Sequence, residues 1–187
     1  MARPPKAYEP LRQAALELFV DQGIHAAGIR EIAKHAGVSE AAPYRYWASK
    51  DELILALFRE HLAEVVLLLE QAIASAPDII GQVRAATRAT FALYDAQPYV
   101  FRFVLLVQHD LAMKIPADTR MPQDVVVAMV RAGRARGEAH GDPELRAAAM
   151  VGLFLQVAAG VVYGRLPGPL SRYTDEVADL AMGALRA

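Results

Sequence analysis

No cysteine occurs anywhere in the 187 residues. That excludes disulfide frameworks, thiolate nucleophiles and Cys-ligated metal sites together, and it fits a reducing cytoplasmic setting. Asparagine is also missing, and arginine outnumbers lysine sixteen to four, a coding bias with little bearing on function. A net charge of −1 excludes a polycationic nucleic-acid binder. Neither sign of charge dominates, but the small excess is unevenly spread. Residues 1–50 carry seven basic and five acidic side chains, and the remainder carries thirteen and sixteen. The N-terminal excess has the sign expected of a DNA-facing module. No secretory pattern heads the chain, since Met1–Pro10 is polar and proline-rich. The longest apolar run, Met150–Gly164, is interrupted by Gln156 and falls short of the roughly 20 residues a bilayer span needs. A buried helix and no membrane partner are the expectation.

Strand-like alternation is lacking too. What is present is helical period, punctuated by proline and glycine, and it predicts an all-α chain of about nine helices. The first runs from Tyr8 to Gln22, with Leu11, Ala14, Ala15, Leu18 and Phe19 as its apolar stripe and Gly23 as its stop. The second spans Ile29–Ala36, and the third follows Ser39 to Trp47. Ser49-Lys50-Asp51-Glu52 has the form of a capping box opening a long fourth helix to Ala74. Pro77, Pro98, Pro122 and Asp142-Pro143 open the next four, with Met113–Met121 as a loop. Ser171 caps the last.

Residues 28–47 carry the functional signal. A short helix, then Ala36-Gly37-Val38-Ser39, then a second short helix is a helix-turn-helix pattern. Gly37 supplies the positive φ that a sharp exit from the second helix requires. Ser39 is suited to cap the following helix, whose N-terminal end would enter the major groove. The small Ala41 and Ala42 allow close approach of the backbone. Tyr44, Arg45 and Tyr46 offer donors to phosphates or base edges, and Lys50 lies where a flanking phosphate would pass. Trp47 reads as core.

The stretch Ala14-Ala15-Leu16-Glu17-Leu18-Phe19, then Gly23, Ile32-Ala33, Ala36-Gly37-Val38-Ser39, Tyr44-Arg45-Tyr46-Trp47 and Ser49-Lys50-Asp51-Glu52-Leu53 closely resembles the TetR family of bacterial regulators. The likeness covers about residues 5–65. The rest of the chain resembles the family only in helix count, helix order and a long penultimate helix. The resemblance implies an all-helical homodimer with a DNA-binding domain at 5–65 and a ligand-binding and dimerisation domain at 66–187. It implies a transcriptional regulator, a repressor by family default, that binds a palindromic double-stranded operator and is released by a small, largely apolar effector. By position, Tyr44, Tyr46, Lys50 and Arg30 would contact phosphates, and Ala42, Pro43 and Arg45 would lie at or near the bases. Three departures stand out. Ala27 and Gly28 replace hydroxyls that would cap the second helix and reach phosphate. Glu40 opens the reading helix, either as a partner for the helix dipole or as an acceptor from a cytosine amine. Pro43 tightens its first turn.

In the C-terminal part, Phe91, Tyr94, Tyr99, Phe103, His109, Met113 and Met129 are core residues by default and candidates to line an apolar effector pocket. Gly152, Leu153, Gln156, Gly160 and Tyr163 recur at helical spacing on the eighth helix. Val177, Leu180 and Ala181 do so on the ninth, and together these stripes suit a dimer interface. No cofactor is implied. The histidines at 25, 35, 61, 109 and 140 form no metal-binding set, and no nucleophile–base pair, paired carboxylates or phosphate-cradling glycine loop argues for an enzyme. The alternative function is a ligand-independent DNA-binding dimer whose C-terminal domain is purely structural.

Overall fold

A computed structural model describes residues 6–111, 115–116 and 119–186. Of the pocket candidates, the side chain of His109 and the whole of Met113 lie outside what is described. Among the described residues the chain is all-helical. Eight α-helices form it: α1 Tyr8–Gln22, α2 Ile29–His35, α3 Lys50–Ala74, α4 Ile79–Ala96, α5 Pro98–Leu111, α6 Pro122–Ala135, α7 Pro143–Val162 and α8 Thr174–Arg186. Two 3-10 turns, Pro43–Arg45 and Leu170–Tyr173, complete the order.

The count falls one short of nine because the expected third helix is a single 3-10 turn. The cause is Pro43. It has no amide hydrogen to give to the Ser39 carbonyl, so the segment is held by shorter bonds. Ala42 N donates to Ser39 O at 2.9 Å, Arg45 N to Ala42 O at 3.2 Å, and Tyr46 N to Pro43 O at 2.9 Å. Other boundaries move by a residue or two, for local reasons. α4 begins after Pro77 because the Asp78 carboxylate accepts from the Gly81 amide at 2.8 Å and sets the start at Ile79. The last helix is preceded by the turn at Leu170, capped from α4: Asp95 accepts from the amides of Leu170 at 2.8 Å and Ser171 at 2.9 Å.

The chain divides into two compact units. The first joins Met1–His61 with Pro98–Ala117. Its core is built on α1, where Leu11, Ala14, Ala15, Leu18 and Phe19 are all buried as the periodicity predicts. α5 returns to pack on α1, with Phe19 and Phe103 stacked at 5.9 Å between ring centroids. Phe103, a pocket candidate by sequence, therefore serves the core of the N-terminal unit. The second unit joins Leu62–Gln97 with Asp118–Ala187. Its core gathers Val65 and Leu69 of α3, Ile79 and Val83 of α4, Val125, Val126, Met129 and Val130 of α6, Ala147 and Met150 of α7, and Ala178, Ala181, Met182 and Leu185 of α8. Met129 is thus a core residue. Phe91 and Tyr94 meet Phe154 in a ring cluster, with centroids at 5.0 Å and 5.5 Å. Burial raises the Tyr94 phenol's pKa.

α7 is 20 residues long and contains an 18-residue window of mean hydropathy 1.8, apolar and long enough to cross a membrane by those measures alone. Only 22% of that window is buried within the chain. Of the proposed dimer stripe, Gly152, Gln156, Tyr163 and Leu180 are exposed, and Leu153 packs partly against the core. Gly160, Val177 and Ala181 are turned inward instead. A Cβ at Gly160 would lie 2.9 Å from Leu166 Cδ1, so its smallness admits the chain's own turn. These three cannot meet a partner through their side chains.

Candidate nucleic-acid interface

The site is assembled from the C-terminal end of α2, the turn after it, the Pro43 turn and the start of α3. Gly37 (φ +68°) is in the left-handed region. It closes α2 in a Schellman arrangement: Val38 N donates to Ala33 O at 3.0 Å and Gly37 N to Lys34 O at 3.1 Å. Each of those bonds satisfies a helix-end carbonyl that would otherwise need water. The chain therefore reverses sharply and delivers residues 39–47 alongside α2.

The Pro43 turn has two faces. Ala42 (6% exposed), Pro43 and Trp47 are buried, while Tyr44 (56% exposed) and Arg45 face solvent. The family likeness implies Ala42 and Pro43 at or near the bases, whereas the 3-10 geometry turns both side chains into the core. Tyr46 is half-buried. Its ring meets Tyr8 edge-on at 5.4 Å and lies 5.4 Å from Trp47, which fixes the turn onto α1. Tyr8 in turn donates through its hydroxyl to Glu60 of α3. Burial first, and the Glu60 carboxylate second, push the Tyr8 pKa up to about 12. Ser39 is exposed, and the N-cap position of the turn is Ala42, which makes no side-chain cap bond. The cap role expected of Ser39 passes to its backbone carbonyl.

The start of α3 has the Ser49 cap that its residues predict, while the returning Glu52 bond goes to the residue before the cap. Ser49 Oγ accepts from the Glu52 amide at 3.1 Å, and Glu52 reaches back to the Ala48 amide at 2.7 Å. Lys50 Nζ donates to the carbonyls of His25 at 3.1 Å and Ala27 at 3.2 Å. It thereby ties α3 to the loop ahead of α2, and one of its three donor hydrogens remains over. Sequence reasoning missed this tether, because residues 23 to 25 positions apart leave no local signal. Gly28 stands at the N-cap of α2 with no side chain to cap it, and Ala27 is fully buried. Arg30, on the first turn of α2, is 83% exposed and pairs with Glu40, Nε to Oε2 at 3.5 Å. Glu40 precedes the 3-10 turn and does not start an α-helix, so the helix-dipole role falls away.

Arg30, Tyr44, Arg45 and Lys50 are thus among the described donors of this segment, on a scaffold held by Gly37, Tyr46 and Trp47. A sequence profile described as bacterial regulatory proteins, tetR family, matches residues 11–57, the span containing every one of these side chains. The HTH-type transcriptional activator FasR of Mycolicibacterium smegmatis is 36% identical over 121 residues, which cover 63% of this chain and 55% of that protein. The fatty acid metabolism regulator protein of Bacillus subtilis is 30% identical over 64 residues, 34% of this chain and 33% of its own length. The chain's matches thus span about half of the first relative and a third of the second. Among solved structures, the fatty acid degradation regulator FadR of Bacillus halodurans is similar with a TM-score of 0.88 at 22% identity, covering 99% of both chains. FadR of Bacillus subtilis in complex with stearoyl-CoA is similar with a TM-score of 0.78 at 17% identity, covering 96% of this chain and all of the other. Residues 11–57 thus match the tetR family of bacterial regulatory proteins, and the chain shares the fold of the two FadR structures.

Proposed function

We propose that this chain is a cytoplasmic transcription regulator that binds a palindromic DNA operator as a homodimer and responds to a long-chain acyl effector. It is not an enzyme in this reading. The observation that carries it is the Pro43 turn, which buries Trp47 and Pro43 while leaving Tyr44 and Arg45 exposed. Phosphate contacts from Tyr44, Lys50 and Arg30 would position the module, and Arg45 would read a base edge. The functional boundary near residue 65 belongs to this reading. So does a second copy of the chain packed on the open face of α7, where Leu145, Gly152, Gln156 and Tyr163 lie exposed, with Leu180 of α8.

The effector class comes from the relatives, which are named for fatty acid metabolism and degradation, one of them in complex with stearoyl-CoA. Phe91, Tyr94 and Phe154 are the apolar side chains best suited to an acyl chain. Repression is the default the family implies, whereas the M. smegmatis relative is named an activator. A mobility shift on the region upstream of the chain's own gene, with and without stearoyl-CoA, tests the reading. Retarded DNA that stearoyl-CoA alters supports it, and no retardation of any upstream duplex rejects it. The complete burial of Phe91 and the near-complete burial of Met129 favour a second reading, a ligand-independent dimer with a filled core. In that case DNA is retarded and neither stearoyl-CoA nor shorter acyl-CoAs change the shift.

A further inference from the structure

We infer that Glu40 is a positioning residue that sets DNA affinity by competing with phosphate for Arg30. The inference rests on the DNA-binding reading. Arg30 Nε lies 3.5 Å from Glu40 Oε2, and the two side chains are 83% and 71% exposed. The neighbouring carboxylates have structural duties. Glu17 accepts from Gln13 and pairs with His35, Glu31 accepts from Gln22, Glu52 caps α3, and Glu60 holds Tyr8 and Arg12. Among the carboxylates with described partners in this module, Glu40 is the one whose partner is an expected DNA contact.

An exposed pair of this kind is weak, because water screens it and two long side chains lose freedom to form it. A guanidinium on a phosphate makes charge-assisted bonds in a fork that matches the anion, and it releases condensed counterions. Arg30 therefore changes partner when a duplex arrives. The effect is a uniform reduction in affinity, since neither the lost pair nor the phosphate carries sequence. Reading of a cytosine amine by Glu40 would have the opposite signature, a preference at one base pair.

The test is a double-mutant cycle of Glu40→Gln and Arg30→Ala. Affinity is measured by fluorescence anisotropy for a duplex from the chain's own upstream region and for a shuffled duplex of the same composition, over a salt series. Glu40→Gln should tighten both duplexes by the same factor, about fivefold. Arg30→Ala should weaken both and lower the magnitude of the log–log salt slope by about 0.9. In the Arg30→Ala background the gain from Glu40→Gln should vanish. A gain of undiminished size there means that Glu40 repels phosphate directly, and the inference is overturned. A changed base preference with Glu40→Gln also overturns it, in favour of cytosine reading. If the unmodified chain binds neither duplex, it is the DNA-binding reading that fails.

Discussion

Side chain by side chain, the candidate interface separates donors from scaffold. Tyr44 is exposed while Tyr46 lies against Tyr8 and Trp47, though the two stand only two positions apart. Tyr44→Phe should weaken binding to all duplexes alike, by about 1 kcal/mol, because one phosphate hydrogen bond is lost and nothing in the core moves. An unchanged affinity in anisotropy would remove Tyr44 from the interface. Arg45→Ala should act differently, relaxing preference at one position by about 1–3 kcal/mol, as read by a selection from randomised duplexes. Lys50→Ala should lower the melting temperature as well as affinity, since Lys50 also holds the carbonyls of His25 and Ala27. A loss of affinity with an unshifted melting curve would mean that the tether contributes nothing to the fold. The candidate donors were legible in residues 30–50. Their orientation was not, because an α-helix and a 3-10 turn through Ala42-Pro43-Tyr44 point the same side chains in different directions.

Helix ends repeat the lesson at the next scale. Local caps were readable: the Ser49 and Glu52 pair, the Asp142 cap and the Gly37 turn all use residues within five positions of each other. Gly37→Ala should cost about 1–2 kcal/mol, the strain of an L side chain in the left-handed region, measured by urea unfolding. Gly28→Ser should gain from a few tenths to about 1 kcal/mol, because the N-cap of α2 lacks an acceptor and a Cβ there meets open space. A destabilised Gly28→Ser would mean that the extended N-cap geometry does not admit the hydroxyl. The cap on the Leu170 turn was hidden, since its acceptor Asp95 lies 75 residues earlier. Burial acts to raise the Asp95 pKa, but bonds from the Ser171 hydroxyl and amide and the Leu170 amide outweigh it and leave it lowered. A carboxyl lowered on folding adds stability above its unfolded value, about 4, and loses that contribution as pH falls through the folded value. Asp95→Ala should therefore destabilise the chain by about 1 kcal/mol at neutral pH and by less in acid. Equal losses at pH 7 and at pH 3 would show that the carboxylate charge is not what caps the turn.

At the scale of the molecule, α7 poses the main question, because an apolar helix left mostly open needs cover. If a second copy supplies it, Tyr163→Glu with Leu180→Glu should give a monomer by analytical ultracentrifugation with its helical content intact. Both side chains lie in solvent within one chain, at 68% and 56% exposed, so the fold has no reason to fail. A dimer that survives both charges would place the interface elsewhere. Stearoyl-CoA at a hundredfold excess over its dissociation constant should add about 2.7 kcal/mol to stability if it binds the folded chain alone. The sequence by itself determined what is local: the helical period, the glycine and proline stops, the capping residues and the helix-turn-helix register from Ala14 to Leu53. Each of these depends on bonds or strain spanning a few residues, so the residue types alone carry them. Tertiary structure alone decided that α5 joins the N-terminal unit through Phe103 on Phe19. It also decided that Gly160, Val177 and Ala181 point inward while Leu180 does not, and that Arg30 meets Glu40. The physical reason is that an apolar or charged side chain satisfies its local pattern equally well against many partners, and only the packing of distant segments selects one.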